Sequence, residues 1–127
     1  MAFKDSYDGA PWSQWPDPIR LRQPQAVEAL AGELADSILF WKGVQFLFFA
    51  QWKALKEYAN HQGISIIGDL PIYVASDSAD VWANPQQFQL DEDLSPTEVA
   101  GCPPDGFSED GQLWGNPLFD WEGMAEN

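Results

Sequence analysis

Residues 63–74 read Gly-Ile-Ser-Ile-Ile-Gly-Asp-Leu-Pro-Ile-Tyr-Val. Ile64, Ile66 and Ile67 form a short β-branched run whose only polar member is Ser65, the pattern of a strand buried on both faces of a parallel sheet. Gly63 suits the end of a preceding helix, where a residue with positive φ is wanted. Asp69 stands at the exit of this expected strand, 64–69, and Pro71 lacks the N–H that would continue the pairing. The carboxyl end of a parallel strand is where α/β enzymes place their chemistry. The same aspartate also suits a turn, and both readings stay open at this point.

Outward from this stretch, the chain divides by composition. Phe3 to Gln23 reads as a loop region (1–23), opened by Gly9 and punctuated by Pro11, Pro16 and Pro18. Trp12 and Trp15 lie among these breakers, as core caps or as the lining of a carbohydrate site. Pro24 fits the first position of a helix. Val27, Leu30, Ala31, Leu34 and Ile38 follow at helical spacing, then Trp41, Val44, Phe48, Trp52, Leu55 and Ala59. The spacing predicts a helical region over 24–62, with a break or close crossing at Gly43 and an end near His61. Around Val44 to Ala50 apolar residues cover almost every side, so the centre is expected to be buried against several neighbours.

After the strand, Asp77, Ser78 and Asp80 make a polar turn, and Val81-Trp82-Ala83 fits one helical turn before Asn84-Pro85. From Gln86 onward, prolines and glycines recur too often for long regular elements. Phe88, Leu90, Val99, Phe107, Trp114, Leu118, Phe119 and Trp121 are the expected hydrophobic anchors. Loops this long are usually functional segments. One buried parallel strand cannot satisfy its own backbone groups, and a helix apolar all round needs neighbours, so the chain reads as a piece of a larger α/β protein.

Charge and composition narrow the function. Six basic against twenty acidic residues give a net charge of −14, which repels phosphate backbones and anionic lipid. Nucleic acid and membrane surfaces are therefore poor partners; ordinary solubility charge is the favoured reading of the excess, and a neutral substrate fits best. Cys102 is the sole cysteine, which removes an internal disulfide. The N-terminal residues lack the apolar core of a signal peptide, and Ile38 to Ala50 is too short to span a bilayer, so the expected compartment is cytoplasmic. His61, the only histidine, fits a helix C-terminus better than a metal or nucleophile site, and no cofactor or metal is expected. Carboxylates remain: Asp69, Asp77, Asp80, Asp91, Glu92, Asp93, Asp105, Glu109, Asp110 and Asp120. Carboxylate pairs run glycoside chemistry, though twenty acidic residues make some pair inevitable, and Asp91-Glu92-Asp93 reads as a solvated turn.

Ile66 to Val74, followed by Asp-Ser-Ala-Asp-Val-Trp-Ala-Asn-Pro from Asp77, resembles the 4-α-glucanotransferases called amylomaltases or disproportionating enzymes. The likeness continues through Phe88–Asp91, Val99–Gly101, Pro103–Asp105 and Phe107-Ser108, and closes on Gly-Gln-Leu-Trp-Gly-Asn-Pro-Leu-Phe-Asp-Trp from Gly111 to Trp121. Upstream, Trp15-Pro16, Leu47–Phe49, Gln51-Trp52 and Tyr58–Asn60 also fit. The resemblance implies a (β/α)8 barrel, with 64–69 an early barrel strand and 70–127 a substrate-side insertion of this partial barrel segment. It implies transfer of α-1,4-glucan segments to an acceptor sugar by a retaining double displacement. Asp69 would then lie near the donor sugar, outside the catalytic trio. Pro104 to Trp114 would form a mobile acceptor-side loop whose candidate contacts are Asp105, Phe107, Gln112 and Trp114. Phe107 and Trp114 offer flat apolar faces for glucose rings, while Asp105 and Gln112 offer hydrogen bonds to hydroxyls.

Two departures from the family stand out. Gly106 stands where many members of the family carry a bulkier residue, often tyrosine, so the resemblance implies that one acceptor-side contact is missing. The motifs for the nucleophile, the general acid and the transition-state-stabilising aspartate are absent, so no catalytic residue is assigned and the 127 residues alone are expected to be inactive. The expected partners are a malto-oligosaccharide and the remainder of the barrel, or self-association in its place. The competing readings are a non-catalytic carbohydrate-binding or interaction module, and a truncated product without independent function.

Overall fold

The computed structural model describes residues 1–125, which pack as two units. The final two positions of the 70–127 stretch lie outside the described residues. The first unit comprises Met1–Pro11 and Trp15–Leu70; the second comprises Trp12–Gln14 and the residues from Pro71 onward.

In the first unit, the prolines of the expected loop start helices instead of breaking them. Helix α1 (Ala2–Ser6) is followed by α2 (Asp17–Arg20), which has Pro16 as its N-cap and Pro18 in its first turn. A proline there forfeits no intrahelical bond, because the first N–H groups of a helix are unpaired anyway. The expected loop region 1–23 therefore carries two short helices. Ala2, Trp15 and Ile19 are buried. Trp15 packs its ring 5.3 Å from Tyr7 and 6.4 Å from Phe3, and its indole N–H donates to the Ala10 carbonyl at 3.0 Å. Trp15 is therefore a core residue.

Helix α3 (Pro24–Glu33) starts at the proline as expected, and α4 (Ala35–His61) ends on His61. Gly43 breaks nothing. The interruption falls at Leu34, where φ −98° and ψ 18° leave helical geometry, and α4 runs through Gly43 for 27 residues, roughly 40 Å at the usual rise. A lone interior glycine costs only about 1 kcal/mol, too little to stop so long a helix. His61 Nδ1 lies 2.7 Å from the Glu57 carbonyl oxygen, a contact that requires the proton on Nδ1. Gly63 follows with φ +75°, the left-handed exit that a side chain would resist. Trp41 Nε1 donates to Asp5 Oδ2 at 2.8 Å and ties α4 to α1.

Two expectations fail within this unit. The centre of α4 is not enclosed: Phe46 is 72% exposed, and Leu47, Phe48, Phe49 and Leu55 are exposed as well. Residues 64–70 carry neither helix nor strand, with Ile67 93% exposed. The physical reason is the same for both. A parallel strand exists only through neighbours that accept and donate its hydrogen bonds, and an all-round apolar helix is buried only by other elements.

The second unit opens with Trp12–Gln14 as a short 3₁₀ turn. Trp12 is buried; its backbone N–H donates to Asp77 Oδ1 at 3.0 Å and its indole N–H to the Ser76 carbonyl at 2.7 Å. Helix α5 (Ala79–Ala83) covers the expected turn and is capped by Ser78, whose Oγ accepts from the Val81 N–H. Val81, Phe88, Ala100 and Pro117 are buried, and Phe88 stacks on Phe119 at 5.1 Å. The described sheet is a single antiparallel pair, β1 (Val99–Cys102) with β2 (Gln112–Pro117), in a region where no strand was expected. Helix α6 (Trp121–Ala125) begins after Asp120, whose Oδ1 accepts from the Gly123 N–H at 3.1 Å.

The Asp77 clamp makes a stability prediction. Asp77→Ala removes the acceptor of a part-buried Trp12 N–H and is expected to cost about 1 kcal/mol, whereas Asp77→Asn keeps an acceptor oxygen and is expected to cost much less. Chemical denaturation of the two variants beside the parent checks it; equal loss in both would remove the hydrogen bond as the cause.

Candidate functional site

The β1–β2 hairpin builds the surface that carries four of the five candidate residues. Cys102 pairs with Gln112 and Gly101 with Leu113, but Val99 pairs with Pro117, so β2 holds extra residues between Leu113 and Pro117. Such an irregularity re-aims the side chains beside it. Gly115 sits within it at φ +78°, a value glycine adopts without strain. Gln112 and Trp114, two residues apart along β2, nevertheless come together: Trp114 Nε1 donates to Gln112 Oε1 at 3.0 Å. Trp114 is 47% exposed and leans on Tyr73, with ring centroids 6.1 Å apart.

The loop joining the strands is closed by its own hydrogen bonds. Asp105 Oδ1 accepts from the N–H groups of Phe107 at 2.8 Å and Ser108 at 2.9 Å. The Asp105 N–H donates to the Ser108 carbonyl, and the Ser108 hydroxyl donates to the Gly111 carbonyl at 2.6 Å. This aspartate-centred turn holds Phe107 at the loop tip, 98% exposed. Phe107 and Trp114, expected as hydrophobic anchors, are instead presented outward, as is Trp121. A Cβ added at Gly106 would meet nothing within 4 Å, and its φ is not positive, so the turn does not itself demand glycine there.

What the surface can do follows from these bonds. Asp105 uses one carboxylate oxygen to shape the loop and retains Oδ2 for a hydroxyl. Gln112 uses Oε1 to hold the indole and retains its amide N–H donors. An indole face, a phenyl ring, a carboxylate oxygen and an amide suit a neutral polyhydroxylated ring with apolar C–H faces. Asp69 lies in the first unit, is exposed, and makes no side-chain hydrogen bond among the described residues. Other carboxylates on the sequence list have structural work: Asp77 clamps Trp12, Asp120 caps α6, and Asp91 Oδ1 accepts from the Asp93 and Ser95 N–H groups at 2.9 Å. Among the described residues no group of three His, Cys, Asp or Glu side chains could hold a metal ion.

Sequence reading missed two contributors. Tyr73 gave no signal beyond being aromatic, because its contact with Trp114 joins residues far apart in the chain. Asn116, whose Nδ2 donates to the Val74 carbonyl at 2.8 Å, fastens the backbone beside Trp114 to that beside Tyr73.

Comparison with known proteins covers this whole chain. A family model described as 4-alpha-glucanotransferase matches residues 1–127. The 4-alpha-glucanotransferase of Thermus thermophilus is 53% identical over 122 residues, covering 96% of this chain and 24% of the relative. That of Clostridium butyricum is 52% identical over 122 residues, covering 95% of this chain and 25% of the relative. The solved structure of an amylomaltase from Streptococcus agalactiae in complex with acarbose superposes with a TM-score of 0.94 at 43% identity, covering 99% of this chain and 26% of that one. This likeness supports an α/β fragment, and the chain spans about a quarter of the length of the relatives it matches.

Proposed function

We propose that this chain, which belongs to the 4-alpha-glucanotransferase family, supplies substrate-side surfaces for the transfer of α-1,4-glucan segments to an acceptor sugar. The observation that carries this reading is the hairpin surface of Gln112, Trp114, Asp105 and Phe107, found in a chain matched over its whole length by that family. Glucan is a neutral ligand, in keeping with the net charge of −14, and the solved Streptococcus agalactiae relative is an amylomaltase in complex with acarbose, which supports a malto-oligosaccharide here. Trp114 takes the face of the acceptor ring, Phe107 borders it, and Asp105 Oδ2 and the Gln112 amide bind its hydroxyls. Asp69 orders the donor sugar.

The reaction in this reading is a retaining double displacement: a carboxylate attacks the anomeric carbon as an acid protonates the departing oxygen, and the acceptor hydroxyl then displaces that carboxylate, returning its proton to the same acid group. These 127 residues assign neither the attacking carboxylate nor the acid. The remaining three-quarters of a full-length relative would supply them, complete a (β/α)8 barrel around 64–69, and cover the exposed face of α4. No described helix is long and apolar enough to cross a membrane. With Cys102 as the sole cysteine, the cytoplasm is the proposed compartment.

The test is acceptor kinetics in a full-length enzyme carrying this segment, with amylose as donor and maltose varied. Trp114→Ala is expected to raise the acceptor KM about tenfold, in line with loss of an aromatic platform worth on the order of 1–1.5 kcal/mol, and to leave kcat at saturating maltose nearly unchanged. An unmoved acceptor KM would take Trp114 out of the site.

A further inference from the structure

We propose that Tyr73 is a positioning residue for the acceptor: its ring sets the orientation in which the Trp114 indole receives an α-linked glucose unit. This rests on the reading of Trp114 as the acceptor platform. The two ring centroids are 6.1 Å apart with planes inclined at 56°, a tilted pair within the separation at which aromatic rings attract. Trp114 needs such a support. It is 47% exposed, stands where the pairing of β2 is irregular, and precedes a glycine at φ +78°. An exposed tryptophan at such a place samples several rotamers, and a sugar that binds one of them must freeze it.

Two restraints act on the indole. The Gln112 Oε1 acceptor fixes its N–H edge at 3.0 Å, and the Tyr73 ring packs beside it at 6.1 Å between centroids. The mount beneath them is also fastened. Asn116, two residues after Trp114, donates through Nδ2 to the carbonyl of Val74, the residue after Tyr73, at 2.8 Å. The tyrosine and the tryptophan are therefore carried on backbone segments tied to each other, and Tyr73 is itself half-buried. Preorganisation of this kind lowers the cost of binding an acceptor without touching the reacting atoms. It is felt in acceptor affinity and not in the chemical step.

The experiment uses a full-length enzyme carrying this segment, with amylose saturating and maltose varied. The variants are Tyr73→Leu, Tyr73→Phe, Trp114→Ala and the double variant Tyr73→Leu/Trp114→Ala. Tyr73→Leu is expected to raise the acceptor KM about threefold to tenfold with kcat held within about twofold, the size of one aromatic pair. Tyr73→Phe, which keeps the ring, is expected to behave as the parent does. The double variant is expected to be no worse than Trp114→Ala, because the support is worthless once the platform is gone. Should leucine prevent folding, Tyr73→Met removes the aromatic face while filling much of its volume, and the same KM rise is expected.

An unchanged acceptor KM in Tyr73→Leu or Tyr73→Met, beside a raised KM in Trp114→Ala, overturns the role of Tyr73 and leaves the Trp114 reading standing. A Tyr73→Phe variant as impaired as Tyr73→Leu, or a loss confined to kcat, overturns it too. An unchanged KM in Trp114→Ala itself overturns the platform, and this inference with it.

Discussion

Asp69→Asn, in a full-length enzyme carrying this segment, is expected to lower the rate of glucan transfer by about a hundredfold while leaving thermal stability within roughly 1 kcal/mol of the parent. The substitution keeps size and part of the hydrogen-bonding capacity and removes the charge. Asp69 is exposed and makes no side-chain hydrogen bond among the described residues, so no partner in them is orphaned by the change. That also separates it from the turn-forming aspartates of this chain. Asp91, Asp105 and Asp120 each accept backbone N–H bonds through their Oδ1 atoms, as a turn or cap former does. If Asp69 were one of them, asparagine would serve nearly as well and activity would survive. The measurement is paired: initial transfer rate and melting temperature on the same two proteins. A rate near that of the parent would remove Asp69 from the donor side, and a collapse in melting temperature would make its role structural.

How much of this was legible in the sequence depends on whether the information was local. Pro24 at the start of α3, His61 at the end of α4 and the positive φ of Gly63 follow from rules acting within one turn of helix, and the sequence carried them. Asp91-Glu92-Asp93 as a solvated turn is of the same kind. The linked motifs from Ile66 to Trp121 carried the family. What failed was non-local. The run from Ile64 has the composition of a buried strand, yet composition cannot provide the neighbours that make one, and the chain leaves it unpaired. The actual strands, Val99–Cys102 and Gln112–Pro117, were hidden because each is short and rich in glycine or proline. The break at Leu34 instead of Gly43 shows that helix propensity is too weak a force to place an interruption.

The candidate site divides in the same way. Asp105, Phe107, Gln112 and Trp114 could be named from their motif, and the structure places them on one hairpin and its loop. Their division of labour could not be named. That Asp105 spends one oxygen on its own loop, and that Gln112 holds the indole, are facts of geometry. Tyr73 and Asn116 entered only through contacts between segments some forty residues apart in sequence, Asn116 bonding Val74 directly.

The second large effect concerns the segment as a whole. On the retaining reading proposed above, the 127 residues alone are expected to make no transfer product from maltotriose, because none of them is assigned as the carboxylate nucleophile or its acid. The apolar face of α4, with Phe46 and Phe49 exposed, should in isolation favour self-association over catalysis. The same residues placed among the elements they lack are expected to work. The most direct measurement therefore replaces the matching quarter of the Thermus thermophilus relative, 53% identical, with residues 1–127, and assays maltotriose disproportionation beside the isolated chain. The hybrid is expected to make glucose and longer maltodextrins, and the isolated segment neither. A hybrid that melts in one cooperative transition yet makes neither product would contradict the proposed function, as would transfer by the isolated chain.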